Sequence, residues 1–361
     1  MYMKCKNLSR FIPAFLIFFF CFAIDYRFMG DIFRLGKQRI LFVLAPMFIP
    51  FIFREQFIPA LLLSYGLAFW ANYNFHIYSV MDLASFGICL CVAQFLLRFS
   101  KELIAKYFVY FGAVQAAYGT LQVMGVQLLY DVPEPFFQGK PLALMGQHTV
   151  LGAFLVACLA PALWLQMPIS ASFIFVCALL TGSSTTYASL WVLLSLFAWY
   201  KERIKLCIIM QFTIISTTVI AWLVNPKLEV FNLQQRPRLW AEGIKAFKQN
   251  SIFGGGPGFW AGEWQPANMP KIDGFVPSLL HSDWLTLFVE YGLIGVLICS
   301  VGLFFFLRNF KLTWHHAVCV VILVNGLANF PLHIVPIGVL FLLCLGYSMN
   351  TNFNKEYLWK H

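Results

Sequence analysis

The chain has 361 residues, 60% of them hydrophobic and 11% charged, with a mean hydropathy of +0.76. A soluble domain of this size cannot hide that much apolar surface, so the composition excludes one and makes lipid the solvent for most of the chain. The net charge of +10 would suit nucleic acid, but basic residues in a membrane protein usually act as topology signals.

Apolar runs recur over residues 10–24, 40–53, 57–73, 79–97, 103–129, 150–167, 168–182, 187–200, 206–224, 282–307, 314–331 and 335–349. They predict an all-α, polytopic membrane bundle of about twelve transmembrane helices, the shorter runs recruiting polar flanks to cross the bilayer. None alternates over ten residues as an outer-membrane barrel strand does. Lys4, Lys6 and Arg10 precede the first run, but no small-residue cleavage site follows Phe22-Ala23-Ile24, which predicts a retained first helix. With an even number of helices both termini share one side. That side collects Lys4, Lys6, Arg10, Arg54, Arg98, Lys101, Lys106, Lys201, Arg203, Lys205, Arg308, Lys311, Lys355 and Lys360, and is therefore the cytoplasm. Residues 25–39, with Arg27, Arg34, Lys37 and Arg39, are the exception, since they fall outside. Nine of the ten cysteines lie inside apolar runs and Cys89 and Cys91 are one residue apart, which makes neither a disulfide framework nor a metal or redox pair.

The order along the chain is then N-terminal transmembrane helices over 1–129, a short periplasmic segment over 130–149, central transmembrane helices over 150–224, a long periplasmic loop over 225–281 between the ninth and tenth helices, and C-terminal transmembrane helices with a cytoplasmic tail over 282–361. Loops as long as 225–281 are usually functional. The cytoplasmic links are only a few residues long, so the chemistry is expected outside. Within the loop, Arg238 to Phe247 spaces its apolar residues at three and four, which predicts a short amphipathic helix. Gly254, Gly255, Gly256 and Gly258 follow, and their backbone N–H groups could converge on an anion. His281-Ser282-Asp283-Trp284 opens the next span, with Glu290-Tyr291-Gly292-Leu293-Ile294-Gly295 about two turns inside it.

The Arg238-Leu239-Trp240 stretch, the Phe253-Gly254-Gly255-Gly256-Pro257-Gly258-Phe259 cluster, and a histidine ahead of Glu290-Tyr291-Gly292-Leu293-Ile294-Gly295 together resemble the O-antigen ligase and polymerase superfamily, which includes protein O-oligosaccharyltransferases. The resemblance spans about residues 180–300, and Gly146-Gln147-His148-Thr149-Val150-Leu151-Gly152 fits it more weakly. It implies transfer of a glycan from an undecaprenyl diphosphate carrier to lipid A core, a growing glycan or a protein, on the periplasmic face of the bacterial inner membrane. It also implies inversion at the anomeric carbon without metal or other cofactor. Mapped onto this chain, the arginines that grip the diphosphate are Arg236 or Arg238, and the imidazole that assists the acceptor is His281. Where ligases of the family usually carry an arginine after the serine that opens the eighth helix, this chain reads Thr181-Gly182-Ser183-Ser184-Thr185-Thr186-Tyr187.

A departing diphosphate calls for cationic, bidentate donors, because charge builds on its oxygens as the sugar leaves. Arg238 is the preferred donor, since Pro237 keeps the two arginines from pointing the same way. His281 offers a group that titrates near neutrality and can accept or orient a hydroxyl proton. Glu290, an acid inside a span, calls for a partner or acts as an anchor. Trp240, with Trp260, Trp264 and Trp284, either stacks on sugar or belongs to the outer aromatic belt. His148 faces the outer surface and is a further substrate-binding candidate, His315 and His316 read as cytoplasmic interface anchors, and His333 is a weaker acceptor-side candidate. Two rivals remain. A metal-dependent transferase would need more acids than Asp25 and Asp31 supply, and a polysaccharide transporter or flippase would place its charges near the bilayer midplane.

Overall fold

A computed structural model describes residues 87, 89–90, 92–126, 139–201, 208–209, 211–212, 215–216, 236–256, 258–260, 264, 280–308 and 310–349. The first three apolar runs, the retained first helix, the exceptional 25–39 segment with Asp25 and Asp31, residues 130–138 and most of the run at 206–224 lie outside them.

The described residues are helical and contain no strand. In chain order they form α1 (Lys101–Val123), α2 (His148–Trp164), α3 (Pro168–Leu180), α4 (Ser184–Lys201), α5 (Arg236–Gln249), α6 (Asp283–Arg308), α7 (Trp314–Asn325), a single 3-10 turn (Pro331–His333) and α8 (Val335–Met349). Six of the predicted runs coincide with α1 to α4, α6 and α8 to within about six residues, and the run at 314–331 divides into α7 and a connector. The predicted amphipathic helix runs over 236–249.

Helix α2 is the centre of the bundle and packs against α1, α3, α4 and α7. Thr149 to Ala162 are all buried, so α2 has no polar face and no lipid face. Small residues let its neighbours approach: a Cβ on Gly112 of α1 would come within 2.7 Å of the Cys158 Cβ, and one on Gly152 would run into the Thr186 hydroxyl of α4. Close backbone approach at small residues is how helices associate where burial from water gives no drive between them.

The outer helices are apolar in the opposite sense. Ile169 and Phe173 of α3, Trp191 and Trp199 of α4, and Leu297 and Phe304 of α6 are exposed, Ile169 by 75% and Trp199 by 71%. A contiguous apolar exterior marks an interaction with lipid or protein rather than water. Among the described residues one helix, Asp283–Arg308, is long and apolar enough to cross a membrane. It is not one straight rod, because Gly292 at φ 61° and ψ −163° divides it into two helical segments.

Candidate active site

Two glutamines inside the apolar helix α1 begin the site. Gln115 and Gln122 lie seven residues apart and therefore on one stripe of the helix. The Gln122 Oε1 accepts the N–H groups of Leu142 (3.1 Å) and Ala143 (2.7 Å), and the Gln115 Oε1 accepts that of Leu144 (3.0 Å). This clamp holds the segment ahead of α2, with Ala143 in a left-handed conformation at φ 44°. As a result Lys140 is buried, its Cε 3.8 Å from where a Cβ on Gly182 would sit, over the turn into α4.

At the end of the clamped segment His148 occupies the first position of α2, outside its apolar length. Burial, then the positive charges of Lys140 and Arg236, push its imidazole down from 6.5 to about 3. His281, immediately before Ser282 caps α6, has φ 53°. Its ring meets the edge of Phe330, centroids 5.0 Å apart. Burial, then the charge of Arg236, push it from 6.5 to about 4. Both histidines are thus neutral at physiological pH, and Arg236 acts on both.

The two arginines part company. Arg236 is half-buried at the start of α5 and Arg238 is exposed. Two residues on a helix of 3.6 residues per turn point about 200° apart, so only one of the pair can face the histidines. Arg236 is the one whose charge reaches both imidazoles, whereas the sequence preferred Arg238. Pro237 sits in the first turn, where its missing N–H costs nothing.

The glycine cluster has a different use from the one expected. Gly254 N–H donates to the Asn250 carbonyl (2.8 Å), Gly255 N–H to Val289 (2.9 Å) and Gly256 N–H to Glu290 (2.8 Å). Gly258 N–H donates to the Glu290 Oε1 at 3.0 Å. In return Leu293 and Ile294 donate to the carbonyls of Ser251 and Ile252. The loop 251–258 therefore supplies the hydrogen bonds that α6 loses at its Gly292 break. All four glycine N–H groups have protein acceptors, so they do not form an open anion cradle, and Glu290 staples the break.

The tryptophans are likewise committed to structure. Trp240 Nε1 donates to the Leu280 carbonyl (3.1 Å), which ties α5 to the residue before His281, and Trp284 Nε1 donates to Leu323 (3.1 Å). Trp260 and Trp264 are buried with Leu239, Ala246, Phe259, Leu280 and Val289 in the small core that docks α5 on α6. Gly243 allows that docking, since a Cβ there would come within 2.8 Å of Leu280. Thr313 bonds His315 and His316 (2.9 and 2.8 Å), a separate histidine cluster at the start of α7.

The site thus gathers Lys140, His148, Arg236 and His281 from segments far apart in the chain. Lys140 escaped the sequence reading because a lone loop lysine carries no signal; the glutamine pair that buries it was the readable sign. Residues 169–300 match the family model described as O-antigen ligase. The resemblance to that superfamily is borne out over this stretch, which holds α3 to α5 and the first part of α6. No curated protein matches the chain.

Proposed function

We propose that this protein is a membrane glycosyltransferase that moves a glycan from undecaprenyl diphosphate to an acceptor hydroxyl outside the inner membrane. The observation that carries the reading is the grouping of Arg236 and Lys140 about two neutral imidazoles, within a chain that matches the O-antigen ligase family. Arg236 lies at the N-terminus of α5, where the helix dipole is already positive, and His148 marks the same end of α2. Cations gathered there repel one another, and an anionic ligand relieves that cost.

In this reading Arg236 and Lys140 hold the diphosphate. The bond between the anomeric carbon and the phosphate oxygen breaks, its electron pair leaves on the diphosphate, and the cations stabilise the charge that develops. The acceptor oxygen bonds to the anomeric carbon from the opposite face, which inverts it. His281 accepts the hydrogen bond of the attacking hydroxyl. With its acidity near 4, it orients the hydroxyl in the ground state and takes up the proton only as the new bond forms. No step calls on a metal.

The test is transfer of the host's own lipid-linked glycan by His281→Ala and Arg236→Ala variants shown to insert in the membrane. The expected outcome is loss of transfer in both, with lipid-linked glycan accumulating unused. Full transfer by both would overturn the assignment. Glycan movement across reconstituted liposomes with no new glycosidic bond would favour a transporter.

A further inference from the structure

Asp283 reads in the sequence as an ordinary acid in the first turn of a helix, yet it makes an unusual set of bonds. Its N–H donates to the carbonyls of Gly326 (2.9 Å) and Asn329 (3.0 Å). Its carboxylate accepts the Leu332 N–H at Oδ2 (3.0 Å) and lies 2.8 Å from the His333 Nδ1 at Oδ1. The carboxylate is buried, and Gly326 is a glycine where a Cβ would come within 3.2 Å of Oδ2. One residue at the mouth of α6 thus pins both ends of the connector between α7 and α8.

That connector touches His281 and the residue that follows His148. Phe330 sets its ring edge against His281. Asn329, fully buried, donates to the Thr149 carbonyl (3.4 Å), next to His148, and to the Asn325 Oδ1 (3.0 Å). His281 itself sits at φ 53°, a conformation that a non-glycine residue holds only when its surroundings enforce it.

We propose that the Asp283–His333 pair is the positioning unit of the acceptor side: it fixes the connector, and through Phe330 it fixes the His281 ring. The inference rests on the reading of His281 as the imidazole that meets the acceptor. Asp283 and His333 do not themselves touch substrate in this account. Their contribution is orientation, and a displacement of about 1 Å at a reacting group costs on the order of 100-fold in rate.

Three variants of the full-length protein in native membranes test it, with undecaprenyl diphosphate as the binding probe. In His333→Ala, kcat falls by about 10- to 100-fold while binding of the probe stays within about twofold. His333→Asn, whose amide nitrogen stands where Nδ1 donates, recovers most of the rate. Phe330→Leu keeps the pair but removes the ring edge, and lowers kcat without changing probe binding, which covers the case in which His333→Ala does not fold. Full kcat in both His333→Ala and Phe330→Leu overturns the proposal. So does a folded His333→Asn as slow as His333→Ala, since the ring would then act by its own chemistry. If His281→Ala is itself fully active, the functional reading fails and not only the positioning role.

Discussion

His281 and His148 illustrate how burial and a neighbouring cation set the chemistry of a single side chain. A histidine pushed down to about 4 cannot act as a reservoir of protons near pH 7, but it is a dependable hydrogen-bond acceptor. The sign of the pH dependence follows. Because kcat/KM reports the free enzyme, it should stay level through pH 6.5 and fall only as pH approaches about 4, where the imidazole protonates. Under the proposed function, a bound diphosphate adds negative charge beside the ring and favours its protonated form, so the acid limb of kcat should lie at higher pH than that of kcat/KM. A profile with both limbs at 6.5 would show that burial and Arg236 do not act on this ring. The sequence made His281, His148 and Arg236 legible through motif position. It ranked Arg238 ahead of Arg236, a ranking that depends on where α5 begins: a shift of one residue in its first turn rotates each side chain by about 100°.

Among elements, the clasp between the loop 251–258 and the break in α6 matters most. The glycine cluster and the Glu-Tyr-Gly-Leu-Ile-Gly motif stood out separately in the sequence, and the structure makes them two halves of one joint. Nothing in either half alone shows the pairing, which is why the cluster read as an anion cradle. Gly292 occupies a backbone region essentially reserved for glycine, and a Cβ there would strike Ile252 and Gly254. Gly292→Ala should therefore destabilise the protein by about 1–3 kcal/mol from backbone strain, read as a lowered thermal transition in detergent, and should cost more than Gly302→Ala, where a Cβ meets nothing. Equal transitions for the two variants would mean that the break in α6 does not depend on this residue. The amphipathic helix, by contrast, was legible as an element, since 238–247 lies inside 236–249, but its buried face runs through Leu239, Gly243 and Ala246 and leaves Ile244 exposed.

At the scale of the molecule, continuous apolar runs marked most of the described helices to within about six residues, because a helix in an apolar surround is written in every residue of its run. The meeting of residues 140, 148, 236, 281, 283 and 333 was not, since contacts between distant segments depend on packing at α2 and on bonds such as those of Gln122 and Asp283. The exposed apolar surfaces of α3, α4 and α6 fit a bundle whose sides face lipid and whose polar end carries the site. Under the proposed function, this arrangement concentrates the charge that would meet a lipid-linked diphosphate. The most direct measurement of that claim is undecaprenyl diphosphate binding to the Arg236→Ala, Lys140→Ala and Arg238→Ala variants. Loss of a charge-assisted bond of about 1.5–3 kcal/mol predicts binding weakened by roughly 10- to 100-fold in the first two, and binding within about twofold of wild type in Arg238→Ala. Weakened binding in Arg238→Ala, with Arg236→Ala and Lys140→Ala unaffected, would contradict it.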